Sequence, residues 1–228
     1  MKTLVTALIL GTATPGGGFP VYGDAFVAMV NAQEPTLRLE ARNTKGSTEN
    51  VPLLEAGKLD IALVAGEVAN AQLAKADNRL RIVAAMYSSP GLFVVRADSP
   101  VRSIADLRGK PVVLGAQGSG LTLMGRNVLE ALGVEVQPIT LEKAADGPAM
   151  VLDGRAAALW GAGVGWPGFT AVAKAGARFI APSADEIASI LARSPALKAM
   201  QMPENAYPGI AQPLPTVGSW SYVLARAD

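Results

Sequence analysis

Short apolar runs alternate with segments of helical periodicity along most of the chain. In its first part the strand patterns are "TLVTALIL", "TLRLEAR", "LDIALVA" and "RLRIVAAMY". The helical patterns between them cover Phe19–Asn31, Ser47–Ala56 and Glu67–Ala76. A β-α-β-α-β order of this kind favours a mainly parallel sheet with helices on both faces, and therefore an α/β fold.

An extended apolar run bounded by prolines, Ser88–Pro100, interrupts this alternation and predicts a crossing between two lobes. The alternation then restarts with the strand patterns "PVVLGA", "VEVQPITL", "AAALWGAG" and "ARFIAPS". Helices are predicted after "GSG" and at Glu142–Asp153, Pro167–Ala175 and Ala184–Arg193. The last extended run, "PTVGSWSYVLARAD", predicts the return crossing.

We therefore expect two similar α/β lobes joined by crossing strands. Lobe 1 is predicted at 1–90 plus 217–228 and lobe 2 at 91–216, with crossings near 88–97 and 214–222. Half of the 228 residues are hydrophobic, which is sufficient for cores of this size. Ligands of such sheets bind outside the carboxyl ends of the strands.

Composition excludes several classes of chemistry. The chain has no histidine and no cysteine, so it has no disulfide, thiolate zinc site, Ser–His nucleophile or histidine base. No spacing brings two carboxylates together for acid–base catalysis. The net charge is +1 and no basic stripe is present, which argues against nucleic acid as a partner. We predict no catalytic residue, no metal and no cofactor.

The first residues, "MKTLVTALILGTA", permit two interpretations. A positive charge, an apolar run and small residues resemble a short secretory signal. We favour the first strand of the fold instead, because a glycine-rich loop follows the apolar run at once. The chain has no stretch of ~20 apolar residues that would span a membrane.

Two glycine-rich loops precede predicted helices, at Gly16–Gly18 and at Gly118–Gly120. Free N–H groups and the dipole at a helix N-terminus favour an anion, and glycine lets a ligand touch the backbone. The alternative is a pair of tight strand-to-helix turns. Neither loop has the lysine of a P-loop or the spacing of a dinucleotide motif.

Other candidate residues also have a structural alternative. Ser47 or Thr48 could cap a helix or face the cleft. Trp160 and Trp166 flank a glycine-rich strand end, and could form an aromatic wall or belong to the core. Tyr22 could direct its hydroxyl to a ligand held by the first loop. Glu67 could be a helix N-terminal acid or could bind an amino group.

The ordered set of motifs resembles the TAXI-type solute receptors of tripartite (TRAP) transporters, in the type II periplasmic-binding-protein superfamily. The resemblance runs from about Leu4 to the C-terminus. Five segments carry it in order: "LGTATPGGGFPVYG", "KGSTENVPLLEAGKLDIALVAGE", "LRGKPVVLGAQGSGLT", "DGRAAALWGAGVGWPG" and "AYPGIAQPLPTVGSW".

The resemblance implies a monomeric, non-catalytic receptor in the periplasm or another extracytoplasmic location. It would clamp a small carboxylate, such as a glutamate-like amino acid or a dicarboxylate, between two lobes and deliver it to the permease subunits of a TRAP transporter. Pattern and resemblance together predict these ligand-binding residues: Thr12, Thr14, Gly17, Gly18, Phe19, Tyr22, Ser47, Thr48, Glu67, Ser119, Gly120, Thr122, Trp160, Gly163 and Trp166.

The chain departs from the family pattern at several positions. Ala65 and Glu67 stand where Gln and Asp are common, Pro15 replaces a Thr-like residue, and the tryptophans favour a more apolar carboxylate. The family also continues beyond the "PTVG" strand, so we expect lobe 1 to lack part of its helical cover and to expose apolar surface. A superfamily-related enzyme and a ligand-sensing module are the alternative functions.

Overall fold

The structure is a computed structural model that describes residues 6–227. Its strands are β1 (Thr6–Gly11), β2 (Leu37–Arg42), β3 (Ile61–Ala65), β4 (Leu80–Arg96), β5 (Pro111–Ala116), β6 (Gln137–Leu141), β7 (Ala158–Ala162), β8 (Ala177–Ile180), β9 (Lys198–Met202) and β10 (Leu214–Arg226). Its α-helices are α1 (Gly18–Gln33), α2 (Ser47–Glu55), α3 (Gly66–Leu73), α4 (Gly120–Ala131), α5 (Gly147–Leu152), α6 (Pro167–Lys174) and α7 (Ala184–Arg193).

The strands form a mixed sheet in the order β2-β1-β3-β10-β4-β7-β5-β6, with β8 beside β4 and β9 beside β10. Parallel pairs lie toward its two ends: β1 with β2 and β3, and β5 with β6 and β7. The long strands β4 and β10 in the middle pair antiparallel with their neighbours. The prediction of an α/β fold with strands flanked by helices is confirmed.

Strands β4 and β10 link the two halves of the sheet. The first part of β4 pairs with β10, and its last part, from Gly91 onward, pairs with β7 and β8. Strand β10 pairs with β9 at Leu214–Gly218 and with β3 at Ser221–Ala225. The segments predicted as crossings, 88–97 and 214–222, overlap these two strands. The lobe boundaries themselves stay a prediction.

Side-chain alternation along the strands divides the core into clusters on opposite faces. In β3, Leu63 packs with residues of α1, whereas Val64 packs with residues of α2 and α3. In β4, Leu92 contacts the cluster that contains α6, and Phe93 contacts the cluster that contains α4. Because both faces are covered, these strands are continuous apolar runs in the sequence.

Most predicted elements are present, and some boundaries are corrected. The helix predicted at Glu142–Asp153 is a 3-10 turn at Ala144–Asp146 followed by α5. Strand β9 was not predicted, since its alternation is short and half-exposed. Strand β1 confirms the first strand for the residues described, and the start of the signal-like alternative, 1–5, lies outside them.

Two further observations concern the surface of the described residues. No helix among them is long and apolar enough to cross a membrane. Several large apolar side chains in the part predicted as lobe 1 are exposed, including Val21, Met29, Ile82, Val83 and Trp220.

Candidate functional site

A cavity of about 90 Å³ lies between the first and second halves of the chain. Since about 10–15 Å³ by this measure holds one water, the space suits a small organic molecule. Nine of the predicted ligand-binding residues line it: Thr14, Gly17, Gly18, Phe19, Ser47, Glu67, Ser119, Gly120 and Trp166.

Three helices from both halves begin at this cavity. Helices α1, α2 and α4 start at Gly18, Ser47 and Gly120, and all three residues line it. Helix N-termini carry free N–H groups and about half a positive charge each. Neither α1 nor α2 has a side-chain cap. The arrangement can therefore attract an anionic group without any cationic side chain.

The two halves touch around the cavity. Thr48 Oγ1 donates a hydrogen bond of 2.7 Å to the carbonyl oxygen of Gly118, and the Thr48 N–H lies 3.3 Å from the same oxygen. A Cβ added at Gly120 would lie 2.3 Å from the Cβ of Ala65, and one at Gly16 would lie 2.6 Å from the backbone nitrogen of Ala145. These two glycines permit backbone contact across the cavity, which the turn interpretation alone did not explain.

Buried polar side chains hold the strand ends beneath the cavity. Ser47 Oγ accepts a 2.9 Å hydrogen bond from the N–H of Ala65. Asn50 Nδ2 donates to the carbonyl oxygens of Thr12 and Leu63, at 2.8 Å each. These bonds join α2 to the carboxyl ends of β1 and β3. Asn50 therefore has a structural role at these strand ends.

At the start of α4, the side chains of Ser119 and Thr122 make different hydrogen bonds. Ser119 Oγ accepts a hydrogen bond from the N–H of Thr122 at 3.1 Å and so caps the helix. The buried Thr122 hydroxyl donates to the carbonyl oxygen of Ala116, 2.8 Å away. Ser119 lines the cavity, whereas Thr122 lies beneath it and fixes the loop.

The two tryptophans have different positions. Trp166 lines the cavity and packs edge-on against Phe169, with ring centroids 5.0 Å apart. Trp160 is core: it stacks obliquely on Phe93 at 4.8 Å, and its Nε1 donates to the carbonyl oxygen of Leu121 at 3.0 Å. The aromatic wall at the strand end therefore consists of Trp166 alone.

Tyr207 holds the loop that presents Trp166. Its hydroxyl accepts a 2.7 Å hydrogen bond from the N–H of Trp166 and donates one of 2.7 Å to the carbonyl oxygen of Gly163. Burial raises the pKa of Tyr207 to about 12, against the lowering effect of the backbone donors. The hydroxyl therefore remains protonated and able to serve both partners at neutral pH.

The remaining predicted residues do not line the cavity. Thr12 is fully buried, and its hydroxyl bonds to the carbonyl oxygen of Arg42. Tyr22 contacts Tyr87, with ring centroids 5.6 Å apart, and so lies behind the wall. Gly163 lies in the loop that Tyr207 holds, while Thr48, Thr122 and Trp160 act as described above.

Sequence reasoning missed part of the lining. Tyr87 and Ser89 come from β4, and Ser219 and Ser221 come from β10. Both strands were predicted as crossings, and ligands between lobes touch such segments. The alternate serines of "GSWSY" were the available signal, since residues two apart share one face of a strand.

Glu67 is the one ionisable carboxyl group on the described cavity wall, which includes no lysine or arginine. Its Oε2 accepts a 2.8 Å hydrogen bond from Ser219 Oγ, and its Oε1 is buried without a partner. Burial raises the pKa of Glu67, and its own backbone N–H group and the Ser219 hydroxyl oppose this in part. Glu67 also borders a recess that Arg193 and Glu130 line, but no ion pair joins it to Arg193 within the described residues.

Residues 10–228 match the sequence pattern of the NMT1-like family. The chain belongs to the NMT1-like family. Among the described residues of this NMT1-like protein, no group of three or more Asp and Glu side chains could hold a metal ion.

Solved structures similar to this NMT1-like chain include substrate-binding proteins and an effector-binding domain. The substrate-binding protein of an amino acid ABC transporter is 17% identical with a TM-score of 0.56, over 96% of this chain and 85% of that one. The alkanesulfonate-binding protein SsuA from Xanthomonas axonopodis pv. citri, bound to MOPS, is 15% identical with a TM-score of 0.58, over 97% and 65%. This NMT1-like chain thus spans less than two thirds of the length of SsuA.

The effector-binding domain of QuiR in complex with shikimate is 10% identical with a TM-score of 0.63, over 98% of this chain and 88% of that one. At these identities the likeness establishes the fold alone. This NMT1-like protein has a type II periplasmic-binding-protein-like fold, which is the fold that the sequence motifs indicated.

Proposed function

We propose that the chain is a non-catalytic solute receptor that captures a small organic acid in the cavity. The observation that carries this proposal is the convergence of three helix N-termini from both halves on one apolar, hydroxyl-rimmed space. Gly18, Ser47 and Gly120 begin these helices, and Phe19 and Trp166 supply apolar wall. The binding proteins of similar fold support a ligand-binding role.

The ligand would be held by backbone N–H groups and hydroxyls, with its acid group near Gly18 and Gly120 and its apolar part against Trp166. The two lobes, 1–90 plus 217–228 and 91–216, would close around it by bending within β4 and β10. The hydrogen bond from Thr48 to Gly118 would then belong to the closed form.

We place the receptor outside the cytoplasm, as a monomer that delivers its ligand to the permease subunits of a TRAP transporter. The TAXI-like motifs around "GGGF", "KGSTEN" and "GSGLT" support this part of the proposal. Catalysis is not part of it: the chain has no histidine or cysteine, and the cavity offers one carboxylate.

Native mass spectrometry of the purified protein tests the proposal directly, because a receptor of this kind is expected to retain a small molecule. Calorimetry with L-glutamate, 2-oxoglutarate and L-phenylalanine then identifies the acid class. A protein that carries no molecule and gives neither heat nor thermal shift with any of the three would contradict a receptor role.

A ligand-sensing domain is the second candidate, and the similarity to the QuiR effector-binding domain favours it. Both candidates predict binding in the same cavity. They differ in the partner that recognises the closed form. Pull-down by reconstituted TRAP permease subunits, only when ligand is present, would support the receptor and count against the sensor.

A further inference from the structure

Glu67, a residue of the cavity wall, has one carboxyl oxygen without a hydrogen-bond partner among the described residues. Glu67 is the second residue of α3, directly after β3, and only 7% of it is exposed. Ser219 satisfies Oε2 with a hydrogen bond of 2.8 Å. Oε1 makes no hydrogen bond to any described residue, although Glu67 belongs to the cavity wall.

A buried acceptor without a donor is costly. Leaving one unsatisfied destabilises a protein by about 1–3 kcal/mol, and more when the group is charged. Native proteins therefore satisfy nearly all such atoms. Because Glu67 lines a cavity that can hold a small molecule, a ligand in that cavity is the candidate source of the missing donor.

The charges of the cavity wall indicate which kind of ligand group would donate a hydrogen bond to Oε1. No lysine or arginine lines the cavity within the described residues, so no side chain there neutralises Glu67. A ligand that carries only negative charge would meet this carboxylate without compensation. A protonated nitrogen on the ligand would satisfy Oε1 and offset the charge, in the strong form of hydrogen bond that ionised groups make.

Helix N-termini around the cavity favour a negatively charged group on the ligand. The N-termini of α1, α2 and α4 begin at Gly18, Ser47 and Gly120, and each offers partial positive charge to an acid group. The wall also includes apolar side chains, namely Leu121 and Met124. The cavity is thus bipolar, with a carboxyl group among its lining and helix N-termini around it.

We propose that Glu67 binds the protonated nitrogen of the ligand, so that the receptor selects amino acids or similar zwitterions over plain carboxylates. The inference rests on the proposed solute-binding function and narrows its ligand class. Glu67 is then a specificity-determining residue, and Ser219 positions its carboxyl group.

Matched probes test this in the wild-type protein. L-Phenylalanine, 3-phenylpropanoate and 2-phenylethylamine share one skeleton and differ in the amino or acid group, and leucine, 4-methylpentanoate and 3-methylbutylamine form a second set. Calorimetry should show each amino acid binding at least about tenfold more tightly than its deaminated acid, since charged hydrogen bonds contribute about 1.5–3 kcal/mol.

The variant Glu67→Gln should reduce that preference to about twofold or less, because it keeps the shape and the Ser219 contact but loses the charge. Glu204→Gln, at an exposed glutamate, is the matched control and should keep the preference. If Glu67→Gln does not fold, the affinities of the probes for the wild-type protein still test whether amino acids are preferred over their deaminated acids.

The outcomes separate the inference from the function on which it rests. Equal affinity for amino acids and their deaminated acids in the wild type would overturn the role of Glu67 and leave the receptor intact. An unchanged preference in folded Glu67→Gln would do the same. If none of the six probes bound and no molecule co-purified, both the inference and the receptor would fall.

Discussion

At the scale of single residues, Glu67 shows how burial and hydrogen bonding compete at one group. Removal from water raises its pKa, and the hydrogen bond from Ser219 lowers the pKa again by only part of that shift. The folded protein therefore holds a proton on this group more tightly than the unfolded chain does. The stability of the fold is thus linked to pH through this side chain, which is also the proposed determinant of ligand preference.

The sign of that linkage gives a prediction for the unliganded protein. Between the ordinary pKa of a glutamate and the raised pKa in the folded state, the folded protein binds more protons, so this group lowers stability as pH rises. Glu67→Gln should remove this loss. Melting temperatures from about pH 4 to about pH 9 should therefore fall less in the variant than in the wild type.

Glu204→Gln, an exposed change, serves as the control and should follow the wild-type curve. Parallel curves for Glu67→Gln and the wild type would show that Glu67 titrates as it does in the unfolded chain.

Gly18 gives a second prediction at this scale. A Cβ added there would lie 3.1 Å from Tyr87 Oη and 3.7 Å from Trp166 Cδ1, so a larger side chain would occupy the ligand's space. Gly18→Val should weaken binding of the tightest panel acid at least about tenfold, a loss of about 1.4 kcal/mol, and keep the circular dichroism spectrum.

Ala28→Val adds a similar group on the exposed face of the same helix and should bind as the wild type does. Full affinity in Gly18→Val would remove the start of α1 from the site.

At the scale of elements, the loop between β7 and α6 depends on a residue far along the chain. Tyr207 bonds to both Gly163 and Trp166, and its ring packs against Phe169 at 5.4 Å and Phe179 at 5.5 Å. Trp166 is therefore presented to the cavity by a rigid aromatic cluster. The loop between β7 and α6 is thus held by side-chain contacts instead of secondary structure of its own.

Tyr207→Phe should keep the aromatic packing and lose both hydrogen bonds, leaving the buried N–H of Trp166 unsatisfied. We expect a loss of about 1–3 kcal/mol, or roughly 2–10 °C in melting temperature for a chain of this size. Differential scanning calorimetry measures it, with Tyr222→Phe on β10 as the control. Equal melting temperatures would mean that water replaces the lost hydroxyl.

At the scale of the whole molecule, two long strands connect the halves, and contacts around the cavity also join them. Strands β4 and β10 pair with each other along much of their length, and Thr48 bonds to Gly118 on the far side of the cavity. In the proposed receptor, bending of the strands with formation of this bond would take the molecule from an open to a closed form.

Thr48→Val removes the hydroxyl at nearly constant volume and should weaken the closed form. Since the bond is exposed, we expect only about two- to fivefold lower affinity, mainly through faster dissociation. Stopped-flow fluorescence measures the rate, and small-angle scattering should show that ligand compacts the wild type more than the variant. Thr140→Val, exposed on β6, is the control; an equal dissociation rate in Thr48→Val would argue against the bond as part of closure.

The α/β architecture, the order of its elements and three of the loops at the cavity could be predicted from sequence. Periodicity reports burial along one element, and glycines before α1 and α4 report close backbone approach, so both signals are local. Helix α7 illustrates this, since its predicted range Ala184–Arg193 is the observed one.

Whether a candidate residue lines the cavity or lies in the core was decided by tertiary contacts alone. Glu67 and Ser219 are 152 residues apart, and only the pairing of β3 with β10 brings them together. Trp160 and Trp166 look equivalent in sequence, but Trp160 packs against Gly91 and Gly125, whereas Trp166 packs against Gly161 and Gly168 and lines the cavity. Pairing across the sheet and available volume are properties of the folded molecule, because they involve segments that no local pattern connects.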